Sequence, residues 1–203
     1  MTGTIRDFVY KEIGNNGPFF RHSNLSEKRF SRPFTLTQIC LNSFAKMKTG
    51  EFARARLQDI EEFFEQHHDL DKKDDNLTRI REVLRIMDKE FGQDAINISS
   101  RAVAVSGYLF VEDLYQSSRT KLIPKFSKFY LKLLEEIKRN TAQLSNYERP
   151  SNSYLMEDFQ KYILQASVEA YSIKRRHDFL EKTFAHYVNS KTRGRIMGVR
   201  DSA

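Results

Sequence analysis

Residues 99–115 read Ser-Ser-Arg-Ala-Val-Ala-Val-Ser-Gly-Tyr-Leu-Phe-Val-Glu-Asp-Leu-Tyr, and this stretch decides the fold. No charged side chain lies between Arg101 and Glu112, and the apolar residues fall on nearly every face of a helix. At about 1.5 Å per residue the stretch would make a helix roughly 25 Å long, enough to cross a small domain. Because a helix that is apolar on all sides is buried on all sides, we predict that this segment is the central core helix.

A membrane span is the other structure that such an uncharged run can form. A span needs about 20 predominantly apolar residues, and residues 99–115 are too few and too polar. The N-terminus has no apolar stretch of the kind found in signal peptides. The lone Cys40 excludes an internal disulfide and fits a reducing compartment. We therefore expect a cytoplasmic protein with no membrane role.

The composition favours a helical protein. The chain has 203 residues, of which 39% are hydrophobic and 30% are charged, enough for one sizeable core. Gly (8) and Pro (4) are scarce, whereas an all-β protein with many tight turns needs both. We predict an all-α fold in which seven or eight helices pack around the buried central helix at about 99–115. A single helical domain is expected over 1–189, followed by a basic flexible tail over 190–203.

Apolar residues recur at helical spacing on both sides of the central segment. This periodicity predicts helices over 1–13, 35–47, 51–68, 76–91, 124–144 and 154–189. Thr35 is the expected N-cap of the second helix, and Gly92 is the expected left-handed residue after the fourth. The last helix is long for a globular protein, so we expect a break near Ser172.

Several side chains outside the main apolar stripes are also expected in the core. Phe19, Phe20 and Leu25 lie in a polar loop after the first helix and would fill the core from there. Cys40 lies within an apolar helix, where it would behave as a small buried hydrophobic residue rather than as a nucleophile.

No group of residues has the spacing of a catalytic or metal site. His67 and His68 are adjacent, so on a helix they point about 100° apart and do not bind one ion together. The acidic stretch 69–75 lacks the ligand spacing and the glycine of a calcium loop. There is no phosphate-binding glycine loop and no Gly-x-Ser-x-Gly turn. We predict no catalytic residue, no metal and no cofactor, and the chain itself is not expected to be an enzyme.

The net charge of +7 lies entirely in the second half of the chain. Residues 1–100 carry 16 Lys/Arg and 16 Asp/Glu, whereas residues 101–203 carry 18 and 11. From residue 171 onward there are 8 basic and 3 acidic residues. Such asymmetry is typical of a surface that faces a polyanion, and equally of a solvated helix face followed by a solubilising tail. On the first interpretation, phosphate contacts would give affinity without reading sequence. The predicted nucleic-acid-binding residues are Lys174, Arg175, Arg176, Lys182, Lys191, Arg193 and Arg195.

Four segments resemble one bacterial family in their order and spacing. They are Ser-Glu-Lys-Arg-Phe at 26–30, Met-Asp-Lys-Glu-Phe-Gly at 87–92, Phe-Ser-Lys-Phe-Tyr-Leu-Lys-Leu-Leu at 126–134 and Ile-Lys-Arg-Arg-His-Asp-Phe-Leu at 173–180. They resemble the helical C-terminal portion of proteins with an N-terminal ParB/sulfiredoxin-like nuclease domain, including the GmrSD-type modification-dependent restriction systems of phage defence. The family's catalytic Asp-Gly-Gln-Gln-Arg signature and the His-Asn-His nuclease module of some members are absent from this chain, so no catalytic residue is carried over.

The resemblance and the charge distribution lead to two hypotheses. The first is a non-catalytic helical domain of a nuclease-family, phage-defence-type bacterial protein, which supports DNA binding or domain assembly. Its expected partners are DNA, through the basic C-terminal segment, and an N-terminal nuclease domain or a partner protein. The alternative is a protein–protein interaction module with no nucleic-acid role.

Overall fold

The computed structural model describes residues 3–13, 17–25, 31–144 and 154–189, and all regular secondary structure within these ranges is helical. The eight α-helices of the described residues are α1 Thr4–Asp7, α2 Ser31–Thr49, α3 Leu57–Gln66, α4 Asp75–Phe91, α5 Arg101–Gln116, α6 Ile123–Leu144, α7 Tyr154–Leu164 and α8 Ala170–Asn189. A π-helical turn, Phe8–Ile13, continues α1, and 3-10 turns cover Gly92–Asn97 and Thr120–Leu122. The predicted all-α class is confirmed.

Helix α5 is the centre of the packing, as residues 99–115 predict. Every residue from Ala102 to Glu112 is buried, and α2, α4, α6 and α8 all contact this helix. Gly107 lets α6 approach closely, because a Cβ added there would lie 3.0 Å from a ring carbon of Tyr130. The Tyr130 hydroxyl donates to the carbonyl of Val103 at 2.8 Å, which fixes that ring against α5.

Glu112 is a buried carboxylate inside this otherwise uncharged region, and three helices supply its partners. Arg79 of α4 donates from Nε to its Oε1 at 2.9 Å, and the Ser43 hydroxyl of α2 donates to the same atom at 2.6 Å. The Tyr108 hydroxyl, one turn earlier on α5, also donates to it at 3.1 Å. Because a buried charge is costly unless it is paired and hydrogen-bonded, this network holds α2, α4 and α5 in one arrangement.

Helix α2 begins at Ser31, so the prediction that Thr35 is its N-cap is wrong. Thr35 is buried inside the helix, and its hydroxyl donates to the carbonyl of Ser31 at 2.8 Å. Pro33 lies in the first turn, where its missing N–H has no intrahelical partner to lose. Cys40 is fully buried in this helix, as predicted, and burial raises the pKa of its thiol.

The predicted helix over 51–68 is shorter at its start, because α3 begins at Leu57. Residues 51–56 are not helical, because groups distant in sequence accept hydrogen bonds from two of their backbone N–H groups. Ala53 N–H bonds to the side-chain oxygen of Asn42 at 3.1 Å, and Ala55 N–H bonds to the carbonyl of Val168 at 2.9 Å. The Asp59 carboxylate then accepts from the N–H of Arg56 at 2.8 Å and starts the helix.

The long C-terminal segment is divided, as predicted, but at residues 165–169 rather than at Ser172.

Gly92 follows α4 with φ +50°, yet its ψ of −137° lies outside the left-handed helical region, and the chain continues into a 3-10 turn. Phe19, Phe20 and Leu25 are buried, as predicted.

One cluster of buried hydrophobic side chains extends from Ile5 near the N-terminus to Phe184 in α8. In the parts of the chain that the structure describes, no helix combines the length and the apolar character that crossing a membrane would require. The predicted tail over 190–203 lies outside the described residues.

Candidate nucleic-acid interface

The predicted basic surface of α8 is smaller than its sequence indicates, because Arg176 is not on it. The Arg176 side chain has 0% exposure, so the prediction that it contacts phosphate is wrong. Lys174 is exposed but pairs with Asp178 one turn later, with Nζ 2.9 Å from Oδ2. Arg175 and Lys182 are exposed. Of the seven predicted residues, Lys191, Arg193 and Arg195 lie outside the described part of the chain.

Arg176 instead joins three separate parts of the core. Its Nε donates to the Ser106 hydroxyl of α5 at 2.8 Å. Its two terminal nitrogens donate to the carbonyls of Tyr162 at 2.6 Å and Ser167 at 3.1 Å, which lie in α7 and the turn after it. Burial lowers the pKa of the guanidinium to about 10, so it remains protonated at neutral pH. Arg176 is therefore a structural residue that holds α7 and α8 to α5.

A second row of cations lies on α6 and the 3-10 turn before it. We call it the α6 lysine stripe, and it consists of Lys121, Lys125, Lys128 and Lys132. All four side chains are exposed. The three lysines within α6 are spaced by three and four residues, so they lie within about 60° of the helix circumference. Among the described residues, Lys121, Lys125 and Lys128 make no ion pair.

The opposite face of α6 fixes the stripe on the body of the protein. Phe126, Phe129 and Tyr130, which alternate with the lysines along the sequence, are fully buried. Phe126 stacks on Phe110 of α5 at 4.5 Å between ring centroids, and Phe129 contacts Phe184 of α8 at 5.4 Å. The lysine stems therefore project from a rigid helix that cannot rotate without exposing its aromatic face.

The sequence contains a signal for this stripe that differs from the C-terminal charge count. Residues 114–134 carry five basic side chains, Arg119 and the four lysines of the stripe, and not one Asp or Glu. Most of this segment is predicted to be helical, so the spacing of its lysines alone indicates a shared helical face. The run of consecutive basic residues at 174–176 has the higher local charge, but consecutive residues do not share a helical face.

A third cluster of charged side chains, Lys46, Asp113 and His177, joins α8 to α2 and α5. Nε2 of His177 lies 2.7 Å from Oδ2 of Asp113, and Lys46 also hydrogen-bonds this carboxylate. Burial acts to raise the pKa of Asp113, but the hydrogen bonds from His177 and Lys46 outweigh it, and the pKa is lowered overall. This cluster is partly buried and joins three helices, so its arrangement indicates a structural role.

The Asp113→Asn substitution is expected to reduce stability more at pH 7 than at about pH 3. A carboxylate with a lowered pKa in the folded state stabilises the protein above its unfolded pKa of about 3.9 and loses that contribution as the pH falls. Urea unfolding of both proteins at the two pH values measures the gap. If the gap is equal at both, the pairs around Asp113 do not stabilise the fold in the way stated.

The two adjacent histidines do not form a metal site. His67 packs its ring against Phe44 and Phe63 at 4.8 Å from each, whereas Nδ1 of His68 pairs with Oδ1 of Asp69 at 2.6 Å. Across the described residues, no three His, Cys, Asp or Glu side chains are grouped so as to bind a metal ion.

No family model, curated protein or solved structure matches the chain.

Proposed function

We propose that this chain is a non-catalytic helical module that binds the phosphate backbone of duplex DNA through the α6 lysine stripe. The observation that carries the proposal is the stripe itself, three exposed lysines on one face of α6 and a fourth in the turn before it, in a segment, residues 114–134, without acidic residues. The resemblance to the helical part of nuclease-family defence proteins supports the same partner. In that setting the module would hold DNA for a nuclease domain and would need no catalytic residue of its own.

The dimensions of the stripe suit a phosphate backbone. From Lys121 to Lys132 it extends about 16 Å at 1.5 Å per residue. Duplex DNA carries one negative charge per about 1.7 Å of its axis, so about ten phosphates pass within that length. Four lysines can therefore each reach a phosphate from one side of the duplex.

The chemistry of the stripe favours duplex DNA without sequence preference. Proteins that bind single strands combine cations with exposed aromatic rings on which bases stack. Here the aromatic residues of the same segment, Phe126, Phe129 and Tyr130, are fully buried. Lysine is a point charge, whereas reading bases usually requires the planar groups of Arg, Asn or Gln. The stripe therefore offers backbone contacts only.

The decisive variant reverses two charges at the centre of the stripe, Lys125→Glu together with Lys128→Glu. We expect its affinity for a short duplex at about 50 mM salt to fall about 100-fold, because two phosphate contacts and their released counterions are lost. Fluorescence anisotropy with labelled duplexes of two unrelated sequences measures this, and the loss should be similar for both.

The matched control is Arg175→Glu together with Lys182→Glu on α8. It changes the net charge by the same amount, and both side chains are exposed and seven residues apart on one helical face. Affinity within about threefold of wild type is expected for the control. An equal loss in both variants would show that total charge, rather than the stripe, determines binding. No binding by the wild-type chain would reject the proposed function.

A further inference from the structure

An open cleft of about 780 Å³ lies between the C-terminal half of α2, α3 and the start of α4. These helices do not include α6, so the cleft is built separately from the lysine stripe. Its apolar surface comes mainly from Leu41, Phe44, Met47, Phe63 and Leu70. The volume is within the range of about 300–1,000 Å³ found for binding pockets.

The aromatic side of the cleft is preformed. The Phe44 ring meets Phe63 edge-on at 5.4 Å between centroids, and the His67 ring contacts both. Burial lowers the pKa of His67, so its ring stays neutral at pH 7. Met47 is 54% exposed beside these rings, and its sulfur accepts a hydrogen bond from Nε2 of Gln116 at 3.2 Å. The cleft therefore offers aromatic rings and one exposed thioether to an apolar group.

The charges of the cleft are acidic once internal pairs are accounted for. Arg54 is held by Asp59, with Nη2 2.7 Å from Oδ1, and Arg79 is held by Glu112. The other charged side chains on its walls are one cation, Lys48, and three carboxylates, Glu62, Asp75 and Asp74. Asp74 also accepts the N–H groups of Asn76 and Leu77 at the start of α4.

The surrounding chain has the same sign. Residues 51–75 carry nine acidic and four basic side chains, whereas the chain as a whole has a net charge of +7. The region of the cleft is therefore a local acidic area on a basic protein. Opposite charge on a partner would steer it to this area and fix its orientation there.

We infer that this cleft docks an amphipathic helical segment of a protein partner, with apolar side chains on the Phe44–Met47–Phe63 surface and Lys or Arg on its flanks. Recognition of this kind places side chains at i, i+3 or i+4 and i+7 into a groove walled by helices. The acidic walls select a basic segment, and the neutral His67 adds no positive charge that would repel it. The inference is independent of DNA binding by α6.

The test uses two synthetic helical peptides with identical leucines at i, i+3 and i+7. One carries Lys at the flanking positions and the other carries Glu. Titration into the full chain, followed by backbone amide shifts in two-dimensional NMR, is expected to show the Lys peptide binding at least tenfold more tightly. The shifted amides should belong to α2, α3 and the start of α4. Equal affinity for both peptides, or no binding by either, would overturn the inference.

A pair of variants ties the binding to the cleft. Met47→Lys adds a charge inside it and is expected to weaken the Lys peptide at least tenfold. Ile96→Lys makes the same kind of change at a side chain that is 59% exposed and does not line the cleft, and it should leave the affinity within about twofold. Equal weakening by both variants, or by neither, would contradict the assignment. The double reversal of Lys125 and Lys128 should leave peptide binding in place, which separates this test from that of DNA binding.

Discussion

Replacing Arg176 with methionine is expected to lower the free energy of unfolding by about 2–4 kcal/mol, because it leaves the partly buried carbonyls of Tyr162 and Ser167 without their donor. An unpaired buried group costs about 1–3 kcal/mol, partial contact with water reduces that cost, and the buried hydroxyl of Ser106 adds a third lost contact. Methionine keeps most of the apolar stem, so the loss reports the hydrogen bonds rather than a cavity. The Arg176 charge has no acidic partner among the described residues, so no carboxylate is left behind to complicate the result.

Urea unfolding measures this difference, and Arg175→Met is the matched control. The control removes the neighbouring guanidinium from an exposed position on the same helix, and it should change stability by no more than about 0.5 kcal/mol. If both variants lose the same stability, Arg176 does not hold α7 and α8 to α5. A large loss for Arg176→Met alone would confirm that the arginine is structural and unavailable to DNA.

Replacing Phe110 with alanine is expected to cost about 3–5 kcal/mol, from lost burial and the cavity left in the core. Phe110 lies at the meeting point of three helices. Its ring stacks on Phe126 of α6 at 4.5 Å and meets Phe184 of α8 edge-on at 5.6 Å. Neither neighbour can fill the space, because each is held by further aromatic contacts, Phe126 to Tyr130 and Phe184 to Phe129.

The control for this prediction is Ile96→Ala in the 3-10 turn before α5. Ile96 is a large apolar side chain that is mostly exposed, so its truncation should change the unfolding midpoint little. A midpoint for Phe110→Ala that stays close to wild type would mean that α5 is peripheral, which contradicts the architecture.

The central helix could be predicted from sequence because burial on all sides leaves a local mark, an uncharged run with apolar residues on every face. The burial of Cys40 could be predicted from its apolar helix, and that of Phe19 and Phe20 from the two large rings in an otherwise polar loop. The start of α3 could not be predicted. Residues 51–56 continue the apolar helical spacing of α3 toward the N-terminus. However, Asn42 and Val168, which are distant in sequence, accept hydrogen bonds from the backbone N–H groups of residues 53 and 55. Tertiary hydrogen bonds therefore overrode a local preference.

The site shows the same division between local and distant causes. Helical spacing places Arg176, but not Arg175, on the apolar face of α8 with Ile173 and Leu180, so its burial had a local signal within the basic run. Its hydrogen-bond partners could not be predicted, because the carbonyls of Tyr162 and Ser167 lie in α7 and the turn after it. The lysines of α6, in contrast, have regular helical spacing and no nearby acidic residue, so this surface could have been predicted from the residues alone.

The most direct test of the central claim is the salt dependence of duplex binding by wild type and by the double variant with Lys125→Glu and Lys128→Glu. Four phosphate contacts predict a slope of log affinity against log salt of about −3 to −4 for wild type. Losing two of them should bring the slope to about −2 or closer to zero. Equal slopes for the two proteins, or a wild-type slope near zero, would contradict the claim that the α6 lysine stripe binds the DNA backbone.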